Sequence, residues 1–144
     1  MLFRSGPGYG GSCFPKDTLA LARTAEEAGS PVRLVEATIE ANARRKASMA
    51  ERVVAALGGS ASGKTVAVLG LTFKPETDDM RDAPSLSVLP PLAAAGARLR
   101  AFDPAGIPFA RQLLPAGVEY AENALDAAEG ADALVLLKIG RAHV

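Results

Sequence analysis

Between Pro15 and Gly29 the chain reads as one short helix. A proline stands at a first helical position, Asp17 falls in the first turn, and a glycine follows "TLALARTAEEA". Pro31 opens a second, longer segment. Val32, Val35, Ile39, Met49, Val53 and Leu57 recur on one helical stripe that ends at Gly58 and Gly59. A helix of that length spans roughly 40 Å, long for a compact domain and suited to a spine between domains or a homodimer interface through residues 32–57. Beyond "GGSASGK" the periodicity changes. "TVAVLGL", "ARLRAF", "VEYA" and "DALVLL" read as strands, with "SLSVLPPLAAAG", "IPFARQLL" and "ENALDAAEGA" as helices between them. Strand alternating with helix predicts a parallel sheet covered on both faces, joined by right-handed crossovers. The expected class is α/β: a long central helix followed by a Rossmann-like sheet domain that is truncated. The boundary falls near residues 58–63, giving a helical unit over 6–59 and a sheet unit over 60–137. Pro90 and Pro91 conflict with this pattern, because prolines inside a helix remove hydrogen bonds and cost about 3 kcal/mol or more. The helix is expected to kink or restart there.

Composition narrows the functions. Apolar residues make up 49% of the 144 residues and charged residues 22%, enough for a packed core. Sixteen basic and sixteen acidic residues cancel, which argues against nucleic acid or an anionic membrane as the main partner. No apolar run approaches about 20 residues, so no transmembrane helix is expected. The start lacks the apolar core of a signal peptide. One cysteine forbids an internal disulfide and fits a reducing compartment, the cytoplasm. With a single histidine, His143, no metal site is expected. The ends "MLFRS" and "KIGRAHV" resemble translated sequencing adapters, so residues 1–5 and 138–144 are expected to be artefacts of a gene fragment.

Two glycine motifs match by spelling and fail by context. "GGSASGKT", 58–65, fits the phosphate-loop pattern, whose mechanism needs a strand before and a helix after; here the order is reversed. "GPGYGG", 6–11, fits a dinucleotide fingerprint, but no strand precedes it. Neither is taken as a nucleotide site.

The chemistry concentrates in "GPGYGGSCFPKD", Gly6 to Asp17. A thiol reacts as the thiolate, and a helix N-terminus or a nearby cation favours that form. Cys13 lies just before the helix opened by Pro15, with Lys16 and Asp17 three and four residues on, spacings that bring side chains to one end of one face. The glycines permit close approach of backbone to a ligand, and their amides suit an oxyanion. Such an arrangement serves covalent catalysis; the competing reading is a small buried cysteine beside a glycine turn.

"GPGYGGSCFPKDTLAL" resembles the active-site signature of the UDP-glucose/GDP-mannose dehydrogenase family, and "VAVLGLTFKPETDDMRDAPSL", 66–86, resembles its nucleotide-sugar-binding domain. "AFDP", 101–104, sits where the family also has Asp-Pro, and the long helix resembles its dimerisation helix. The resemblance implies oxidation of a sugar primary alcohol to a carboxylate with two NAD and no free aldehyde. It implies Cys13 as nucleophile, passing through a thiohemiacetal and a thioester, and Asp17 as the residue that positions or activates water. It puts Lys16 and Arg81 on the NAD side. Gly8, Tyr9, Gly10, Phe73 and Lys74 would contact the nucleotide-sugar. UDP-glucose is the favoured substrate, with GDP-mannose or UDP-N-acetylmannosamine as alternatives and a non-catalytic dimerisation or nucleotide-binding module as a further one.

From the residues alone, Thr72, Phe73 and Lys74 fall just past the first strand of the sheet, the edge at which open parallel sheets bind ligands. Lys74 and Arg81 are then either ligand charges or members of a solvated loop paired with Glu76, Asp78, Asp79 or Asp82. Asp103 reads as a turn residue and stays outside the site. The family's N-terminal NAD-binding domain, its catalytic glutamate, the lysine/asparagine pair before the cysteine motif and its last strands have no counterpart here. The chain is therefore expected to carry half of an active site.

Overall fold

The computed structural model of the chain describes residues 7–74 and 76–137. The terminal stretches suspected as artefacts, with His143, lie outside them. Helix α1 (Phe14–Glu27) and helix α2 (Arg33–Ala56) precede an alternating series. That series runs β1 (Thr65–Leu69), α3 (Ser85–Ala94), β2 (Arg98–Phe102), α4 (Ile107–Leu113), β3 (Glu119–Tyr120), α5 (Ala124–Ala128) and β4 (Ala133–Leu136). Every segment expected from the hydrophobic pattern forms, with its expected type.

The four strands pair in parallel in the order β3-β2-β1-β4. The chain builds outward from β1 to β3 and then crosses back to lay β4 on the other side of β1. The order therefore reverses between β1 and β4. In open parallel sheets ligands bind outside the carboxyl ends of the strands at such a reversal, and the loop leaving β1 carries Thr72, Phe73 and Lys74.

Pleating assigns β1 side chains to two layers. Val66 and Val68 face a large core with Leu71, Val88, Leu89, Leu92, Leu99 and Ala101. Leu69 faces a smaller one with Ala121 and Ala127, under α5. All five β1 positions are buried, as a central strand covered on both faces requires. Fully burying a valine or leucine contributes about 1.5–3 kcal/mol, so the larger layer dominates the fold.

Helix α2 joins that layer with only its second half. Ala50 is buried in the core, and Met49, Val53, Val54 and Leu57 pack against it. Leu34, in the first half, is 86% exposed. Of the expected stripe, Met49, Val53 and Leu57 thus cover this chain's own sheet, while Val32, Val35 and Ile39 are half-buried outside that core.

Helix α3 runs unbroken through Pro90 and Pro91 and does not restart. Val88, Leu89 and Leu92 are completely buried on its core face, while Pro90 is half-buried and Pro91 exposed. Three such burials outweigh the cost of the missing helical bonds.

The refused phosphate-loop match is a connector from α2 to β1. Lys64 pairs with Asp132 at 3.1 Å, and the Asp132 carboxylate also accepts from the Thr65 amide at 2.8 Å. Thr65 begins a strand, so no helix N-terminus faces the loop.

Candidate active site

The cysteine loop is folded against the loop that follows β1. Its glycines are explained by that contact. Gly11 has φ +86°, a conformation that favours glycine, and a β-carbon there would overlap the Phe73 ring. A β-carbon on Gly10 would overlap the Asp82 carbonyl, and one on Gly8 would lie 2.6 Å from Asn42 Oδ1. These neighbours account for the missing side chains, whatever the backbone of the loop contacts on its other side. The Gly11 amide donates to the Arg81 carbonyl at 3.0 Å, so the two motif blocks are hydrogen-bonded to each other.

Cys13 occupies the N-cap position of α1 and is exposed. The reading as a small buried cysteine therefore fails. Its carbonyl accepts from the Asp17 amide at 2.9 Å, closing the first turn, and Ser12 Oγ lies 3.7 Å from its sulfur. Lys16 and Asp17 are both exposed at the start of the helix, 3.7 Å apart. Tyr9 meets the Phe14 ring edge-on at a centroid distance of 4.8 Å, which ties the glycine loop to the first helical residue.

Across from this loop, the segment after β1 is fixed from beneath. Asp103 accepts from the amides of Leu71 and Thr72 at 2.7 and 3.1 Å and from those of Ala105 and Gly106 at 3.0 and 2.8 Å. Burial raises the pKa of this carboxyl, but the four amide donors outweigh burial and hold it below the usual carboxylate value. Ser85 Oγ donates to the Leu71 carbonyl at 2.6 Å. The Phe73 amide donates to the Asp79 carbonyl at 2.8 Å, closing a small loop that displays Lys74 to solvent. The Lys74 ammonium lies 5.9 Å from the Phe73 ring centroid. Arg81 forms a two-pronged pair with Asp79, at 2.9 and 3.1 Å. The guanidinium holds the Asp79 carboxyl below its ordinary pKa. Of the salt-bridge partners expected for Arg81, Asp79 is the one taken. Two of the guanidinium's five N–H groups are used there, and an exposed fork keeps donors for an anion.

Two residues in this assembly escaped the sequence reading. Asn42 clamps the Tyr9 backbone, accepting from its amide at 2.8 Å and donating to its carbonyl at 3.0 Å. Lys46, one turn on, is only 9% exposed, and its ammonium donates to the Asp82 carbonyl at 3.2 Å. Burial lowers the lysine pKa, with the Asp82 charge acting against it. A signal existed: the apolar stripe of α2 lapses between Ile39 and Met49, and Asn42 and Lys46 stand at the helical steps it skips.

The site residues fall into two groups that touch. One comprises Gly8, Tyr9, Gly10, Cys13, Lys16 and Asp17, on the loop and first turn of α1. The other comprises Phe73, Lys74 and Arg81, on the loop at the sheet's reversal point. Together the two hydrogen-bonded loops carry an exposed thiol, the exposed cations Lys16, Lys74 and Arg81, and the Asp17 carboxylate, with Lys16 beside Asp17 and Arg81 on Asp79. Such groups can pair with an anion and attack an electrophilic carbon.

Comparison with known proteins gives the same pairing of blocks. Residues 67–140 match the UDP binding domain of the UDP-glucose/GDP-mannose dehydrogenase family, and residues 1–44 match the central domain of that family. A UDP-glucose 6-dehydrogenase of Rhizobium meliloti is 54% identical over 133 residues, covering 92% of this chain and 30% of that protein. One from Bacillus subtilis is 46% identical over 134 residues, covering 93% of this chain and 30% of that protein. The chain thus spans under a third of these relatives. Among solved structures, a UDP-glucose dehydrogenase from the archaeon Pyrobaculum islandicum superposes with a TM-score of 0.83 at 35% identity. It covers 92% of this chain and 30% of that one. A UDP-D-ManNAc dehydrogenase from Pyrococcus horikoshii gives a TM-score of 0.70 at 27% identity over 92% of this chain and 29% of that one.

Proposed function

The chain belongs to the UDP-glucose/GDP-mannose dehydrogenase family, and on that premise we propose that it is the central and nucleotide-sugar-binding part of an NAD-dependent UDP-glucose 6-dehydrogenase. The observation that carries this reading is the Gly11–Arg81 hydrogen bond, which sets the exposed Cys13 loop against the loop bearing Phe73 and Lys74. UDP-glucose is preferred over GDP-mannose or UDP-N-acetylmannosamine on the names of the curated relatives.

Each side chain then has a task. Lys74 and Phe73 hold the nucleotide-sugar, the ammonium pairing with a phosphate and the ring packing against an uncharged part of the ligand. Gly8, Tyr9 and Gly10 line the approach of the sugar to the thiol. Cys13 Sγ adds to the sugar aldehyde carbon and holds it as a thiohemiacetal, which keeps the aldehyde from escaping. The oxidised adduct is a thioester, and Asp17, one helical turn from Cys13, positions the water that opens it. The exposed cations Lys16 and Arg81 would hold the pyrophosphate of a dinucleotide, and two NAD, bound in turn, would each accept one hydride. The homodimer belongs to the same proposal and engages the exposed N-terminal half of α2.

The decisive experiment uses the full-length parent enzyme. Changing Cys13 to Ala abolishes oxidation of UDP-glucose to UDP-glucuronate; retention of parental NADH production overturns the reading. The 144-residue chain by itself is expected to give no NADH from UDP-glucose, and measurable turnover would show that it needs no further catalytic residues.

A further inference from the structure

Lysine is an expensive choice at position 46. Only 9% of the residue is exposed, on the helical stripe that also carries Asn42 between Ile39 and Met49, and burial disfavours the charged ammonium unless its donors are used. A methionine would continue the packing of Ile39, Met49 and Val53. Lys46 instead reaches across to a single carbonyl, that of Asp82, at 3.2 Å. Asp82 is itself unusual, with φ +50° in a non-glycine residue, a strained conformation that persists only where its surroundings enforce it. That same carbonyl occupies the space beside Gly10 where a side chain would stand. One turn earlier on the same face of α2, Asn42 holds Tyr9 by both its amide and its carbonyl.

A single helix face thus grips both partners of the loop junction. Asn42 takes the cysteine loop, Lys46 takes the turn that carries Arg81, and the Gly11–Arg81 bond closes the triangle. Each grip is made to backbone, so it fixes where the chain runs without engaging the side chains of Cys13 and Arg81.

We propose that Asn42 and Lys46 are positioning residues that set the distance between the Cys13 loop and the Arg81 turn. Their importance for catalysis rests on the reading of Cys13 as nucleophile. The geometric part of the proposal does not.

The test is made on the 144-residue chain with two readouts: hydrogen exchange of the Gly11 amide and the alkylation rate of Cys13 by iodoacetamide. Lys46→Met should raise Gly11 exchange about tenfold or more and change the alkylation rate several-fold. The β1 amides should keep their parental exchange, and Lys46→Arg should restore both readouts. Gly11 exchange within about twofold of the parent overturns the proposal, as does equal acceleration in β1, which would make Lys46 a general stabiliser. If Lys46→Met does not fold, Asn42→Ala is read by the same two rates and the same criteria. Unchanged Gly11 exchange would refute the positioning role and leave the catalytic reading standing. A full-length Cys13→Ala enzyme that still turned over would do the reverse.

Discussion

Gly11 lies so close to Phe73 that a β-carbon would overlap the edge of the ring, and its φ of +86° already disfavours any other residue. Gly11→Ala should therefore cost on the order of 2–4 kcal/mol, combining the left-handed backbone penalty with overpacking. The thermal midpoint should fall by several degrees, and where the Phe73 ring gives way nucleotide-sugar binding weakens as well. Scanning calorimetry reads the first effect and nucleotide-sugar titration the second. Parental values in both measurements would mean that the contact is dispensable.

Asp103 makes a pH-dependent contribution. Its carboxyl titrates lower in the folded chain than in the unfolded one. The stabilisation is fully present above the unfolded value of about 3.9 and is lost as pH falls through the folded value. Asp103→Asn turns an amide donor toward amide donors and should cost about 2–4 kcal/mol near neutrality. Urea midpoints followed from about pH 6 down to 2.5 should also fall less steeply than in the parent. Some acid sensitivity remains through Asp79 and Asp132, whose carboxyls are also held low by their partners. Parallel curves for parent and variant would exclude Asp103 as a source of the slope.

Lys64 is paired with Asp132. The pair is largely exposed, so Lys64→Ala should change stability by less than about 1 kcal/mol. The parent should show no magnesium-dependent ATP binding by calorimetry. Tight binding lost in the variant would restore the phosphate-loop assignment.

Leu34, with Phe14, Leu21 and Val35, lines an apolar groove of about 400 Å³ between α1 and α2. If the homodimer forms through this half of α2, Leu34→Glu should shift sedimentation toward monomer. The thermal midpoint of the isolated fold should hardly move, because the side chain is 86% exposed and contributes little to the chain's own core. A dimer of unchanged affinity would rule this face out.

The alternation of strands and helices was legible because burial on both faces writes itself locally, as in the apolar run "TVAVL" of β1. The cysteine loop was legible because its residues are consecutive. What the pattern hid was every relation made at long range. Pro90 and Pro91 read as a break because their cost is local, while the compensating burial of Val88, Leu89 and Leu92 depends on α2 and the sheet. The protein neighbours of the glycines before Cys13 stayed hidden, since nothing nearby in sequence announces Phe73 and Asp82. Asn42 and Lys46 read as ordinary polar residues on a helix, for the backbone groups they hold lie more than thirty positions away, 33 to Tyr9 and 36 to Asp82. Asp103 was recognised as a turn former, but its reach to Leu71 and Thr72 requires the register of β1 beside β2.

Helix α2 is 24 residues without interruption, about 36 Å of stiff rod. One end is embedded in the sheet's core, the middle grips two loops, and the first turns lie beside α1. One rigid element thus keeps the sheet, both loops of the site and α1 in a common frame, so a kink anywhere along it would displace the thiol from the sheet's edge.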